Sequence, residues 1–405
     1  MGKRSSIAFG AVGVVLIVVA IVWWTAIAPA LTKLPSTIDS PMNFEGKLTQ
    51  YVDSATQQPL AAGQEVVIPF TALRTFKSLA DQYTSSVAMC QDTIVLTVAG
   101  KEQPPQIFND PLDRKTRKFV DSSDSWAYAK EIVLKDRVGH YGPLFPGGLK
   151  VGDKVSGFFD DVSTAYDLPI AEKIDNFEGL GVTALKIDAA CPSTAYYPAI
   201  ATALLGSQGL PAQITFDQLS AQLKAKGLDL AALLGGLAKV ATPEDLQALQ
   251  ALTQQPVKLK YFMEGKDIVY IEQKTGATIG ATLNRTTSMQ IDTSGLLSAF
   301  MIISKYSQDA TVGPMIAAVT KAAGSLAQAA PTPVFNQTMS IIKTSEATLV
   351  ADAKTNLSKL ALANLWIPLI IVIVGFLALI TGGFLMFKSR KAAPGSSPGA
   401  EVTGE

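Results

Sequence analysis

One histidine, two cysteines and two acidic pairs are the residues of this chain whose types could do chemistry. His140, within Arg137-Val138-Gly139-His140-Tyr141-Gly142-Pro143, would have to serve any Ser-His-Asp triad, and no Gly-x-Ser-x-Gly elbow accompanies it. It reads as a loop histidine. Zinc sites draw on several His or Cys ligands, more than this chain offers. Asp160-Asp161 follow a strand-like run, and Asp121 and Asp124 flank Ser122-Ser123. Paired carboxylates can hold Ca²⁺ or move protons, but EF-hand spacing is missing, so these read as solvated turn carboxylates. A hydrolase built on Asp160, Asp161 and His140 is a minor alternative. No Walker loop is present, and no Gly-x-Gly-x-x-Gly follows a strand. The expectation is no catalytic residue, no metal and no cofactor.

Cys90 and Cys191 are the only cysteines, and both fall in the long middle segment. If that segment is exported, an even count in an oxidising compartment predicts a Cys90–Cys191 disulfide. In the chain-entropy model a loop of about 100 residues makes such a bridge worth around 4–5 kcal/mol. Two independent buried thiols are the alternative. No Cys-x-x-Cys spacing suggests redox work.

Two uncharged apolar stretches, 7–27 and 365–387, enclose everything that could position these groups. As helices rising about 1.5 Å per residue, each reaches roughly 30–35 Å, the thickness of a bilayer's hydrocarbon core. Lys3 and Arg4 precede the first, and Lys388, Arg390 and Lys391 follow the second. Short basic flanks stay cytoplasmic, so a two-pass plasma-membrane topology with both ends inside is expected. Trp23, Trp24 and Trp366 would lie at the outer interface, their indole N–H groups wet. The small residues Ala26, Ala28 and Ala30 offer a signal-peptide cleavage site as the alternative to a retained anchor. Thr381 and Gly382-Gly383 are possible points of helix contact.

The expected division is a cytoplasmic N-terminus at 1–6, a transmembrane helix at 7–28 and an extracytoplasmic domain at 29–364. A transmembrane helix at 365–387 and a disordered cytoplasmic tail at 388–405 complete it. The chain's 34 basic and 34 acidic residues leave the middle slightly acidic, which gives it no electrostatic reason to bind nucleic acid. Runs such as 65–70, 93–98, 154–159 and 182–187 read as strands. A helical insert at about 215–254 opens on the capping box Thr215-Phe216-Asp217-Gln218. A second helix is expected over 230–240. The third starts at Thr242-Pro243 with Glu244 and Asp245 facing its dipole. Strands resume over 257–291, with turns at 264–267 and 273–276. The chain then turns Ala-rich and helical, with a last helix over 336–362. The fold class is therefore α+β: a membrane-anchored, β-rich ectodomain with a helical insert and a helical return stalk, flanked by two transmembrane helices. Asn284, Asn336 and Asn356 head glycosylation sequons.

Leu219, Leu223, Leu230, Leu233, Leu237, Leu246, Leu249 and Leu252 recur on the insert helices at core-facing spacing. Core packing is the default. The competing reading makes them the wall of a cavity for an acyl chain, because the insert holds more Leu and Ala than a small satellite needs.

Several short segments resemble the actinobacterial envelope proteins called the "porin PorA family". They are Asp113-Arg114-Lys115-Thr116, Phe145-Pro146, Phe159-Asp160, Gly179-Leu180-Gly181-Val182 and Val269-Tyr270-Ile271-Glu272-Gln273-Lys274-Thr275-Gly276. The resemblance implies a cell-envelope protein with two terminal spans and carries no activity or site residue. Its porin label conflicts with the sequence, since a barrel pore needs many alternating strands and no long apolar helices. The expected function is non-enzymatic: binding, transferring or scaffolding lipid or apolar envelope components. A channel made of oligomerised helices is the alternative. Membrane lipids and other envelope proteins are the expected partners.

Overall fold

The computed structural model describes residues 3–28, 33–53, 59–207, 210–225 and 227–391. Ala30 and the tail at 392–405 lie outside them. The chain divides into two units, one made of 1–34 with 352–405 and the other of 35–351.

The terminal unit is a helix pair. Helix α1 (Lys3–Val22) runs on into a single π turn at Trp23–Ile27. Lys343–Phe387 is one continuous helical run, with a π turn at Leu362–Trp366, and the division between the units falls within it. Among the described residues it is the one helix long and apolar enough to cross a membrane; the N-terminal apolar helix, Ala11–Ile27, is shorter. The two helices pack antiparallel with their backbones in close approach. A Cβ on Gly13 would lie 2.6 Å from Leu379 Cγ and 2.7 Å from the Gly375 carbonyl, so only glycine fits there. The backbones come close at Gly13 and Gly375, and Gly382, one heptad on from Gly375, is buried as well, while Gly383 meets nothing within 4 Å. A π turn frees backbone carbonyls, and here the opposite helix uses them. The Trp23 indole donates to the Ala363 carbonyl at 2.7 Å and Trp24 to Asn364 at 2.9 Å. These indoles bond protein rather than water.

The larger unit is α+β, built on a curled, half-barrel antiparallel sheet. Its strands are β1 (Asp39–Gln50), β2 (Val66–Ser78), β3 (Val87–Val98), β4 (Lys101–Glu102), β5 (Gln106–Asp113), β6 (Trp126–Ala127) and β7 (Ala129–Val133). They continue with β8 (Lys154–Phe159), β9 (Thr164–Ile174), β10 (Ala184–Ala195), β11 (Gln213–Ile214), β12 (Val257–Glu272), β13 (Thr278–Ile291) and β14 (Thr332–Ile341). The order across the sheet is β7-β6-β5-β3-β2-β1-β14-β13-β12-β10-β9-β8. Short bridges link the free edge of β8 back towards β5. Tyr141 pairs with Gly157 and Lys118, and Phe119 pairs with Leu112. The Tyr141 N–H donates to Ser156, the Phe119 N–H to His140 and the Val120 N–H to Pro111. Strands alternate as half-buried antiparallel strands do. Met42 and Phe44 face in while Asn43, Glu45 and Lys47 face out. Lys258, Lys260 and Lys266 likewise project from β12. A charged outer face is the reverse of a lipid-facing barrel wall.

Two segments differ from the expected elements. Residues 264–267 form no turn, because β12 runs straight through them. Asp267 turns inward, 4 % exposed, to meet Arg285 and the Asn284 N–H. Residues 332–341 are strand β14, not the start of a helix, so the helical return begins at Lys343 rather than at Asn336. The chain re-enters the sheet between β1 and β13 before helix α8 (Lys343–Ala361) begins. The sequon side chains Asn284 and Asn336 hydrogen-bond each other across β13 and β14 at 2.8 Å.

The disulfide does not form: Cys90 and Cys191 are separate, buried, free thiols. Cys90 is on β3 and Cys191 on β10, with five strands between them in the sheet. At about 4.8 Å per strand-to-strand step they are roughly 29 Å apart along it, while a bridge needs Cα atoms within about 7 Å. Burial pushes the Cys90 thiol up to about 12 and raises that of Cys191. Both are packed, unreactive side chains.

Candidate functional site

Helices α2 (Pro198–Ser207), α3 (Phe216–Ala225), α4 (Leu230–Leu237) and α5 (Pro243–Thr253) interrupt the sheet between β10 and β12. Helices α6 (Leu297–Ser304) and α7 (Gly313–Gln328) interrupt it again between β13 and β14. Capping fixes their starts as the sequence implies. The Gln218 N–H donates to Thr215 Oγ1 at 3.2 Å while Gln218 Oε1 accepts from the Thr215 N–H at 2.9 Å. Asp229 caps α4 and Thr242 caps α5. Asp245, in the first turn of α5, accepts from Lys305 at 2.7 Å and Tyr306 at 2.6 Å. That pins α5 to the end of α6. The five helices α3 to α7 therefore form one cluster, which is larger than the expected 215–254 insert.

Between these helices and the ends of β12 and β13 lies an apolar cavity of about 330 Å³. Leu219, Leu223, Leu230, Leu233, Leu249 and Leu252 line it. The other two candidates are elsewhere: Leu237 is fully buried in the adjoining core with Ile303, Val312 and Ile316, and Leu246 packs against that core. The opposite wall comes from α6 and α7, through Phe300, Ile303, Val319, Ala322 and Ala323. No spacing in 215–254 points to those residues. The space exists because α7 presents Ala322 and Ala323 where leucines would close it. The polar rim includes Lys258, Asp292 and Ser294.

A second cavity, of about 240 Å³, occupies the interior of the curled sheet, and its chemistry is the opposite. Arg74 grips Asp92 with three contacts of 2.5–3.0 Å. Arg285 bridges Asp267 at 2.9 Å and Asp161 at 3.1 Å. Tyr128 also donates to Asp161. Arg137 is fully buried over the Phe119 ring and donates to Ser125 at 2.7 Å, to Asp110 at 2.8 Å and to the Asn109 carbonyl. Asp160 is 3.5 Å from the same guanidinium. Asp160 and Asp161 are thus ion-paired lining groups, not solvated turn carboxylates. Asp121 and Asp124 stay exposed in their turn.

His140 Nδ1 meets Ser156 Oγ at 2.8 Å. The carboxylates that would complete a triad are engaged with Arg137, Arg285 and Tyr128. Among the described residues, no group of three or more His, Cys, Asp or Glu could hold a metal ion.

No protein-family model matches the chain, and no curated protein matches it significantly. The segments that carry the family resemblance are mostly turn-forming. Asp113 Oδ1 accepts from the Lys115 and Thr116 N–H groups, and the Glu272 carboxylate accepts from those of Lys274 and Thr275. Gly179, Gly181 and Gly276 have positive φ. Such chemistry recurs wherever chains turn.

Burial raises the Asp110 and Asp160 carboxyls, and Arg137 offsets this only in part. A carboxyl raised in the fold holds its proton where the unfolded chain has released it. Stability then falls as pH rises from the ordinary aspartate value, about 3.9, through the raised one. Asp160→Asn keeps the shape and removes the charge. The variant should unfold about 2–4 °C higher than the parent at neutral pH, on the order of 1 kcal/mol. The gain should vanish below about pH 4. Calorimetry on the full chain at several pH values checks this, and a lower midpoint at neutral pH would contradict it.

Proposed function

We propose that this chain is a non-enzymatic, membrane-tethered protein whose outer unit binds a lipid acyl chain or a similar apolar group between α3 and α7. The observation that carries the reading is the cavity itself. At about 330 Å³ it falls within the ~300–1,000 Å³ of small-molecule sites and, like them, is mostly apolar with a few polar groups at its rim. An apolar occupant that fills it gains about 0.8 kcal/mol for each CH₂ group it buries.

The tether in this reading is a two-pass hairpin with both ends cytoplasmic. The antiparallel packing of α1 against α9 (Ile367–Lys391) supports it, because it puts Lys3, Arg4, Lys388, Arg390 and Lys391 at the same end of the pair. Protease added to intact spheroplasts should digest the outer unit and spare tags on both termini; loss of either tag from outside refutes the hairpin.

The binding reading is tested with a diazirine-bearing fatty acid, photoactivated in membranes that hold the full chain. Label should map to peptides of α3 to α7. Ala322→Phe fills the cavity from α7 and should cut that labelling by about tenfold. Ala317→Phe, on the exposed opposite side of the same helix, should not. Label confined to α1 and α9, or indifferent to Ala322→Phe, would sink the proposal.

A further inference from the structure

The polar groups of the apolar cavity are gathered in one patch, and their charges do not cancel. Gln255-Pro256-Val257-Lys258, at the start of β12, and Asp292-Thr293-Ser294, just after β13, line the space together. The two runs lie side by side, the Asp292 N–H donating to the Lys258 carbonyl at 2.9 Å. Among the described residues Asp292 is the one acidic group on the wall and Lys258 the one basic group. Asp292 is already satisfied. Its Oδ1 accepts from the Ser294 N–H and from Lys260 Nζ, each at 3.1 Å. Contacts from Ser294 and Lys260 hold this carboxyl below the usual aspartate range. Lys258 projects from the same exposed face of β12 as Lys260, about 6.6 Å along the strand. No carboxylate among the described residues pairs with it. The patch therefore holds two ammonium groups against one engaged carboxylate. Elsewhere the wall belongs to the interior: Leu233, Leu249 and Ile303 are buried members of the core that also holds Leu237, Val312 and Ile316.

We propose that the occupant is a single-chain anionic amphiphile such as a fatty acid, its tail against Leu233 and Ile303 and its carboxylate on the Lys258 ammonium. This rests on the reading of the cavity as an acyl-chain site and adds the identity of the head. At about 330 Å³ the space is near the floor of the ~300–1,000 Å³ range of small-molecule sites, which suits one chain rather than the paired chains of a phospholipid. Charge decides the rest. A cationic head would be repelled by Lys258 and would have to displace Lys260 from Asp292. A hydroxyl head gains no charge-assisted hydrogen bond. A carboxylate accepts one from Lys258 and leaves the Lys260–Asp292 pair intact. Because the rim is exposed, such a contact adds modestly to affinity, and its main effect is to choose among heads on the same tail.

The test compares three diazirine-bearing probes of one tail length, a fatty acid, the fatty alcohol and the alkylamine, photoactivated with the full chain in lipid nanodiscs. At about pH 8 the free carboxyl is ionised and lysine keeps its proton. Label in α3 to α7 is divided by label in α1 and α9, which corrects each probe for its loading into the bilayer. The acid should exceed the alcohol by about three- to fivefold on this ratio, with the amine lowest. Lys258→Gln should bring the acid down to the level of the alcohol, Lys258→Glu should place it below, and Lys258→Arg should retain the preference. Equal labelling by acid and alcohol, a preference for the amine, or an acid preference that survives Lys258→Gln would overturn the proposal while leaving the acyl-chain site standing. No label in α3 to α7 from any probe would overturn both. If Lys258→Gln misfolds, the comparison of the three probes on the parent chain decides.

Discussion

Strand β14 is the constraint on which the outer unit depends. The first seven strands form one half of the sheet and β8 to β13 the other, and β14 alone joins them along the strand order, pairing with β1 on one side and β13 on the other. Its ten residues arrive after every helix of the cluster has been passed, and α8 starts two residues later. The sheet's inward curl, the enclosure of its charged interior and the place where the helices α3 to α7 emerge all assume that this last strand is in register. A one-residue slip would turn Val334 and Ile341 outward and present polar side chains to the core.

The unit uses that frame to hold two unlike cavities apart. Inside the curl, guanidinium–carboxylate pairs sit in a low-dielectric space where any unpaired charge is costly, which gives the interior a defined electrostatic shape. At the end of the β12–β13 hairpin, leucines meet alanines across a gap that their side chains cannot close. The cavity inside the curl is lined by charged groups as well as aromatic ones, and the cavity between the helices mostly by apolar side chains. Neither uses the thiols, which are buried beyond reach of chemistry, and His140 faces Ser156 without a carboxylate to orient it.

Much of this was legible in the sequence, wherever the signal was local. The capping box at Thr215, Pro243 in the first turn of α5 and the short apolar runs in β2, β3, β8 and β10 declare their elements within a few residues. Six of the eight leucines proposed for a cavity line one. What was illegible depended on partners distant in the chain. Strand β14 is rich in Asn, Gln, Thr and Ser and follows an Ala-rich helix, so nothing local marks it as central; its register comes from β1, almost 300 residues earlier. Asp160 and Asp161 resemble an exposed acidic turn until Arg137 and Arg285 are brought to them. The cysteines invited a bridge by count alone, and sheet order keeps them apart. The alanine wall on α7 is likewise silent, because small residues on a helix announce nothing about what faces them.

The central claim is that an apolar ligand belongs between α3 and α7, and a high-resolution experimental density map of the full chain, extracted from its native membrane, tests it most directly. The account predicts an elongated feature, unexplained by protein, running between Leu219 and Leu233 on one side and Phe300, Val319 and Ala322 on the other. A helix cluster closed on itself, with those side chains in mutual contact, or a cavity filled by ordered water, would contradict it.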